Sequence, residues 1–328
     1  MSKHGEIAVI FWGPHSGSTE RFARQLGAPL YLVHYLSWKR PLIAPIKYIP
    51  MWLKTWAILL KQHPSAVFVV NTPIFAPLCV YAYCLFARIP YAMNIHGHTF
   101  SGRRWGWSRP ILRFLARRAR VNLVGFSGYK KLFESWGAKA TILEDPPAET
   151  GSMRNVPAAT LDGFKVVVIS TFAPDEPLHL VVAAACVVPE VQCYILGDAA
   201  LADRRLIDSA PKNVFFPGYL KADAYWSMLC SAGAIMTLTT NSDSLVAGGT
   251  EGMRLGKPLI LSRQPVLVEY FDKGAVFVDH TVKSIAEGIR EARERQEALA
   301  QEAATLAIEK REVWDSRFQE FVSLLGER

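Results

Sequence analysis

Short apolar runs recur along this chain, each followed by a longer stretch with helical spacing. Ile7–Phe11, Leu30–Val33, Ala66–Val70, Tyr91–Ile95, Val121–Gly125 and Thr141–Leu143 are continuous runs rich in Val, Ile and Leu, without polar alternation. Such runs mark strands covered on both faces, as in parallel sheet. Between them the spacing predicts helices near Thr19–Leu26, Met51–Lys61, Phe75–Ala87, Pro110–Arg118 and Tyr129–Trp136. Strand–helix alternation of this kind builds right-handed βαβ units.

Residues 146–163 break the rhythm with Pro146, Pro147, Gly151, Pro157 and Gly163, the composition of a linker. The pattern then resumes. Strands are predicted at Lys165–Ile169, Gln192–Leu196, Val214–Phe216, Ala234–Leu238, Leu259–Leu261 and Ala275–Val278. Helices are predicted near Leu178–Val187, Ala222–Cys230, Glu251–Leu255 and Ser284–Ala303, and an amphipathic segment, Glu309–Leu325, closes the chain. The expected organisation is a Rossmann-like domain over 1–148, a linker over 149–163, a second Rossmann-like domain over 164–308, and a C-terminal helix over 309–328. The length of 328 residues agrees, at roughly 150 residues per domain. In doubly wound α/β sheets ligands bind beyond the carboxyl ends of the strands, so two such domains facing a central cleft would place the site there.

Charge sharpens this picture. The net charge of +8 is the sum of a basic first half and an acidic second half. Residues 1–148 hold 19 Lys/Arg and 5 Asp/Glu; residues 149–328 hold 18 and 24. No carboxylate falls between Glu20 and Glu134, a span with 17 basic residues, among them Lys39, Arg40, Lys47, Lys54, Lys61, Arg103, Arg104 and Arg113. Trp38, Tyr48, Trp52, Trp56, Trp105 and Trp107 are interleaved with them. Basic residues among indoles suit an anionic membrane face, and single-stranded nucleic acid as the alternative. No helix-turn-helix, zinc finger or RNP-type strand appears, so the membrane is preferred and no nucleic acid is expected.

The remaining composition mostly excludes. Five cysteines without a C-x-x-C point to neither a disulfide framework nor a zinc ribbon, and suit a reducing cytoplasm. The N-terminus lacks the pattern of a signal peptide. The apolar stretch Ala66–Ala87 is interrupted by Asn71, Thr72, Pro73 and Pro77, and is expected as strand, turn and helix rather than a membrane span.

Four loops carry candidate chemistry. Phe11–Thr19 follows the first strand and exposes His15 and Ser16 beside Gly17, with Ser18 as a helix cap; an ordinary tight turn is the plain alternative. Asn94–Thr99 places His96 and His98 at the end of a buried strand, on opposite faces, which disfavours joint metal binding. Ser170–Pro177 sets Asp175 and Glu176 near a helix start, where carboxylates cap. Thr239–Ser262 is the richest. Gly248 and Gly249 lead into a short helix near Thr250–Glu251, whose bare N–H groups suit a diphosphate. Glu251 suits ribose hydroxyls, and Asp243 lies eight residues earlier on the loop.

This segment resembles the donor-binding motif of GT-B glycosyltransferases of the family-4-like group, E-x7-E with a following Gly-Lys-Pro, present here as Asp243-x7-Glu251 and Gly256-Lys257-Pro258. The surrounding order, Tyr194-Ile-Leu-Gly-Asp198, Asn213-Val-Phe-Phe-Pro-Gly-Tyr219, Tyr225 and Glu269-Tyr-Phe271, is similar too, and the final helix resembles one that crosses back to the first domain. Two departures stand out. The first acidic position is Asp, and Thr171-Phe-Ala-Pro-Asp-Glu176 replaces a stretch that normally carries Arg and Lys for the donor phosphates. Both leave retention or inversion open.

The resemblance implies an enzyme that transfers a sugar from a nucleotide sugar, UDP-linked as the commonest carrier, without a metal or other cofactor. It implies donor contacts from Thr171, Gly197, Gly218, Tyr219, Gly248, Gly249, Thr250, Glu251 and Arg263, and acceptor-side contacts from His15, Ser16 and Gly17. His96 is the expected base if the reaction inverts, and Asp243 positions the sugar if it retains. The basic first domain suits a lipid-linked, polyprenyl-diphosphate saccharide acceptor at the inner face of the cell membrane, in surface polysaccharide assembly. The alternatives are a nucleotide-sugar epimerase of similar architecture and a non-enzymatic two-domain binding protein.

Overall fold

The computed structural model describes residues 7–35, 44–96, 106–144, 146 and 163–326. It comprises two units, Met1–Pro147 with Glu312–Arg328, and Ala148–Arg311. The 149–162 part of the expected linker, Trp38, Lys39, Arg40, His98, Arg103, Arg104 and Trp105 lie outside the described residues.

Unit 1 is built on one parallel sheet ordered β2-β1-β3-β4-β5-β6. Its strands are β1 (Ile7–Phe11), β2 (Leu30–Leu32), β3 (Ala66–Val70), β4 (Tyr91–Asn94), β5 (Val121–Val124) and β6 (Ala140–Ile142). The helices between them are α1 (Gly17–Gln25), α2 (Ala44–Gln62), α3 (Phe75–Ala87), α4 (Arg109–Ala116) and α5 (Ser127–Ser135). Central β3 shows why its run is unbroken. Val67 and Val69 enter a core with α2 and α3 residues such as Leu59 and Val80, while Ala66 and Phe68 enter a second core with Phe22 of α1. Both faces are covered, so every position is apolar.

Unit 2 repeats the plan with sheet order β12-β11-β10-β7-β8-β9. Its strands are β7 (Lys165–Ile169), β8 (Gln192–Leu196), β9 (Val214–Gly218), β10 (Ala234–Thr237), β11 (Leu259–Ser262) and β12 (Ala275–Val278). Its helices are α6 (Leu178–Val187), α7 (Arg204–Asp208), α8 (Ala222–Ser231), α9 (Ala247–Arg254), α10 (Pro265–Tyr270), α11 (Val282–Glu294) and the first part of α12 (Gln296–Gly326), whose residues from Glu312 onward belong to unit 1. Val166 and Val168 of β7 pack with Val181 and Ala185 of α6 and Ile285 and Ile289 of α11. The doubly wound α/β architecture expected from the alternating pattern is therefore present in both units.

Some elements differ from expectation. Helix α2 begins at Ala44 rather than near Met51 and runs through Pro50. Its inner face, Met51, Thr55 and Leu59 at helical spacing, is buried, and that packing offsets the one hydrogen bond a proline removes. The last helices break at Arg295, not between Ala303 and Glu309. No Pro or Gly occurs from Gln296 to Leu325, so nothing in the chain stops α12 once it has started. Among the described residues no helix is long and apolar enough to cross a membrane.

Candidate functional site

The strand order reverses between β1 and β3 in unit 1 and between β7 and β10 in unit 2. Ligands of doubly wound sheets sit beyond the carboxyl ends at such reversals. The loops after those strands therefore carry the candidate site of each unit.

In unit 2 the loops after β7 and β10 are tied together. Asp175 Oδ2 accepts from Thr239 Oγ1 at 2.6 Å, and the Asp175 carbonyl accepts from the Thr240 N–H at 2.7 Å. The Thr239 N–H donates to Ser262 Oγ, which also lies 2.9 Å from His280 Nε2. Asp243 is set by its own N–H, which donates to Asn241 Oδ1 at 3.0 Å, and accepts from Ser242 Oγ. Asp175 thus braces a neighbouring loop instead of capping a helix.

Glu176 does not cap α6 either. The residue before that helix is Pro177, and no side chain caps it. The Glu176 carboxylate turns back to accept from Ser170 Oγ at 2.5 Å, the Thr171 N–H at 3.0 Å and Thr171 Oγ1 at 2.8 Å. Thr171, an expected donor contact, therefore directs both its donors at a carboxylate of its own loop, and an incoming phosphate would compete with that carboxylate. Phe172 follows in a left-handed conformation at φ 55°. Its ring fills the space beside Gly197, where a Cβ would fall 2.4 Å from the Ser170 carbonyl and 2.8 Å from the Phe172 ring. With φ at 139°, only glycine suits position 197.

Helix α9 starts at Ala247, four residues before the sequence-based expectation, so Glu251 lies a full turn inside it and not in the first turn. Val246 precedes the helix without a side-chain cap; the Gly249 and Thr250 N–H groups donate to the Val246 carbonyl, and the helix's first two N–H groups with the positive end of its dipole are what an anion would meet. The glycines have a second cause that the sequence concealed. A Cβ at Gly248 would fall 2.4 Å from Thr237 Oγ1, at Gly249 2.8 Å from the Phe271 ring, and at Gly252 2.6 Å from Leu259. Their missing side chains let α9 lie close on its neighbours. Thr250 Oγ1 donates back to the Ala247 carbonyl.

Glu251 is held from another helix. Tyr225 of α8 donates its hydroxyl to Glu251 Oε2 at 2.5 Å. Burial pushes the Tyr225 hydroxyl pKa upward, and the adjacent Glu251 charge and hydrogen bond push it the same way, so Tyr225 remains a donor. Chain order alone pointed to Tyr225 only as a landmark; this pairing across 26 residues has no local signature. Gly218 ends β9 at φ 77° and Tyr219 is 80% exposed. Arg263, suggested for the phosphates, has other partners: its Nε lies 3.4 Å from Asp279 and its Nη2 donates to the Phe277 carbonyl, both on the side of β12.

In unit 1 the helix cap is Ser16, not Ser18. Ser16 Oγ accepts from the Thr19 N–H at 3.3 Å and lies 2.8 Å from Thr19 Oγ1; Gly17 is the first helical residue. His15 is exposed, its Nδ1 2.7 Å from Glu20. His96 lies just beyond β4, its N–H donating to Oδ1 of the buried Asn71 at 3.0 Å, and its Nε2 is 3.5 Å from Asn94 Nδ2. Asn71, at the end of β3, thereby fixes the backbone at His96. Among the described residues no group of three or more His, Cys, Asp or Glu is arranged to hold a metal ion.

No family model matches the chain, and no curated protein matches it. Solved structures do. HepE from Anabaena, in complex with UDP and glucose, superimposes with a TM-score of 0.70 at 14% identity, over 99% of this chain and 100% of that one. A glycosyltransferase from Rickettsia africae gives 0.65 at 13% identity, over 95% and 99%. A putative UDP-N-acetylglucosamine 2-epimerase from Listeria monocytogenes gives 0.60 at 9% identity, over 96% and 97%. The chain shares their GT-B fold.

Proposed function

We propose that this chain is a glycosyltransferase that uses a nucleotide sugar, UDP-linked, as donor. The observation that carries the proposal is Glu251, one turn inside an uncapped glycine-rich helix at the strand reversal of unit 2, with its carboxylate held by Tyr225. A carboxylate so placed can accept from both ribose hydroxyls, while the helix end, equivalent to about half a positive charge, faces the diphosphate and stabilises it as it departs. This assignment needs no metal ion. Asp243, presented by the braced loop after β10, would contact the donor sugar. His96 of unit 1 is the base we assign for the acceptor hydroxyl, because its backbone is pinned by Asn71. The bound HepE structure and the Rickettsia glycosyltransferase support this reading through shared fold.

The acceptor we propose is a polyprenyl-diphosphate-linked saccharide of surface polysaccharide assembly, met by a peripheral enzyme at the inner face of the membrane. Two features support it: the carboxylate-free run between Glu20 and Glu134, and α2, which exposes Ile49 at 64% and Leu53 at 65% beside Lys54. The test is calorimetric titration with UDP, GDP and ADP, each with and without EDTA, on the wild type and Glu251→Ala. Binding of UDP that EDTA leaves unchanged and that Glu251→Ala weakens at least tenfold is expected. Equal affinity in the variant would remove Glu251 from the donor site. Conversion of UDP-N-acetylglucosamine to its 2-epimer without any acceptor would favour the epimerase reading.

A further inference from the structure

At the amino ends of β4, β5 and β6, the edge of the unit 1 sheet opposite His96, lies a concave site of about 650 Å³. Its cations are Arg88, Arg117, Arg118, Arg120 and Lys139, and no Asp or Glu lines it. Each arrives by the local fold. Arg88 ends α3 in a left-handed conformation at φ 56°, and Arg117 caps α4. Arg120 and Lys139 immediately precede β5 and β6. Arg118 lies over the Phe114 ring, its Cζ 3.7 Å from the centroid, with Nη1 donating to the Phe114 carbonyl. A second basic hollow of about 420 Å³, lined by Arg109, Arg113, Arg117 and Arg118, adjoins it.

The plain explanation is that these cations neutralise helix ends. Three helices, α3, α4 and α5, do end here. Each end is equivalent to about half a negative charge, roughly one and a half in total. Arg120 has a partner of its own; the other four cations still exceed the helix ends by about two to three charges. Helix ends account for less than half of the charge. Four of the five cations are guanidinium groups, whose planar forks match phosphoryl oxygens better than an ammonium does. Tyr81, Ile89, Pro90 and the 66% exposed Leu85 form an apolar side to the same hollow.

We propose that this cavity binds a phosphate-bearing ligand with one or two phosphoryl groups and an apolar portion. A phosphomonoester carries about −1.5 to −2 at neutral pH, so one to two groups balance the excess charge. The ligand chemistry has two sources, a soluble phosphorylated molecule and the headgroup of an anionic lipid. The site belongs to unit 1 alone, and its assignment does not depend on the nucleotide-sugar reading of unit 2.

Two probes test it: inorganic pyrophosphate by calorimetry, and co-sedimentation with vesicles of phosphatidylglycerol against vesicles of phosphatidylcholine, both at fixed salt because phosphate contacts are screened. Both are applied to the wild type and to a variant carrying Arg88→Asn, Arg117→Gln and Lys139→Gln. These side chains are exposed, and Asn tolerates the left-handed position. UDP affinity and the melting temperature are measured on the same samples. The expected result is a loss of tenfold or more for pyrophosphate, for phosphatidylglycerol vesicles, or for both, with UDP affinity and melting temperature unchanged. The probe that responds names the source. Absence of binding to both probes by the wild type, or equal binding by wild type and variant, overturns the proposal. Failure to bind UDP leaves it standing and counts against the donor site alone.

Discussion

Tyr225 and Glu251 make the most specific claim at the scale of single residues. A hydrogen bond to an ionised partner contributes about 1.5–3 kcal/mol, and its loss removes one of the contacts that orient the Glu251 carboxylate. In Tyr225→Phe the packing ring stays and the hydroxyl goes. UDP affinity should fall about five- to thirtyfold by calorimetry, with a smaller fall in melting temperature. A lower melting temperature with unchanged UDP affinity would make Tyr225 a structural residue only. A second residue-scale outcome concerns α9. Gly248→Ala places a methyl group 2.4 Å from Thr237 Oγ1, on a buried strand that cannot retreat. The variant should lose about 1–3 kcal/mol by urea denaturation; a neutral result would mean that Gly248 is glycine for a ligand and not for the sheet. At this scale the sequence was only half legible. Glu251 was visible through motif spacing. Tyr225 was not, because its pairing is tertiary. Of the two serines that could cap α1, Ser16 does so because the helix starts at Gly17, two residues before the expected Thr19. Arg263 stands out in the sequence only by its charge; its partner Asp279, the residue after β12, lies 16 positions on with no local signal to join them.

Strands were legible as elements, because coverage on both faces leaves no polar position in a run such as Ala66–Val70. Helix ends were not, since they depend on what lies beneath. Helix α12 shows this most clearly. Its amino-terminal part belongs to unit 2, where Leu299, Ala303 and Leu306 are buried and Glu302 accepts from the Gly274 N–H at 3.0 Å. Its last turns belong to unit 1: Trp314 donates to the Glu144 carbonyl at 3.1 Å and stacks on Phe318, while Phe321 meets Phe22 and Phe68 edge-on. The sequence pattern predicts two segments, Ser284–Ala303 and Glu309–Leu325, where a single 31-residue helix serves two cores. Phe321 is fully buried, so Phe321→Ala should cost unit 1 about 3–5 kcal/mol. Tryptophan fluorescence reports almost wholly on unit 1, because Trp226 is the one tryptophan within Ala148–Arg311. The urea midpoint seen by fluorescence should therefore fall, while a UDP-dependent transition of unit 2 stays in place. An equal shift in both would contradict the assignment of these turns to unit 1.

For the molecule as a whole, the five cysteines were legible as free thiols, but not that the burial of three of them makes the fold's stability sensitive to alkali. Burial pushes Cys79 and Cys84 of unit 1 and Cys193 of unit 2 up from 9.0 to about 12. The neutral thiol is the form that the fold holds. Above pH 9 the unfolded chain releases these protons and the folded chain keeps them, so each unit of pH favours unfolding by about 1.4 kcal/mol per thiol. The stability that depends on these groups is fully present below pH 9 and is lost as pH rises toward about 12. The raised hydroxyl pKa values of Tyr91 in unit 1 and Tyr225 in unit 2, each set first by burial, add the same trend to both units above the ordinary 10.0. Unit 1, with two such thiols to one in unit 2, should lose stability about twice as steeply between pH 9 and 10.5. Urea denaturation followed by tryptophan fluorescence across that range measures the slope for unit 1. Cys84→Ala removes one of its two titrating thiols at the cost of a small cavity, so its midpoint at pH 8 should drop slightly while its slope against pH falls by nearly half. A slope unchanged in Cys84→Ala would show that alkaline unfolding of unit 1 is driven by other groups, the tyrosines first among them.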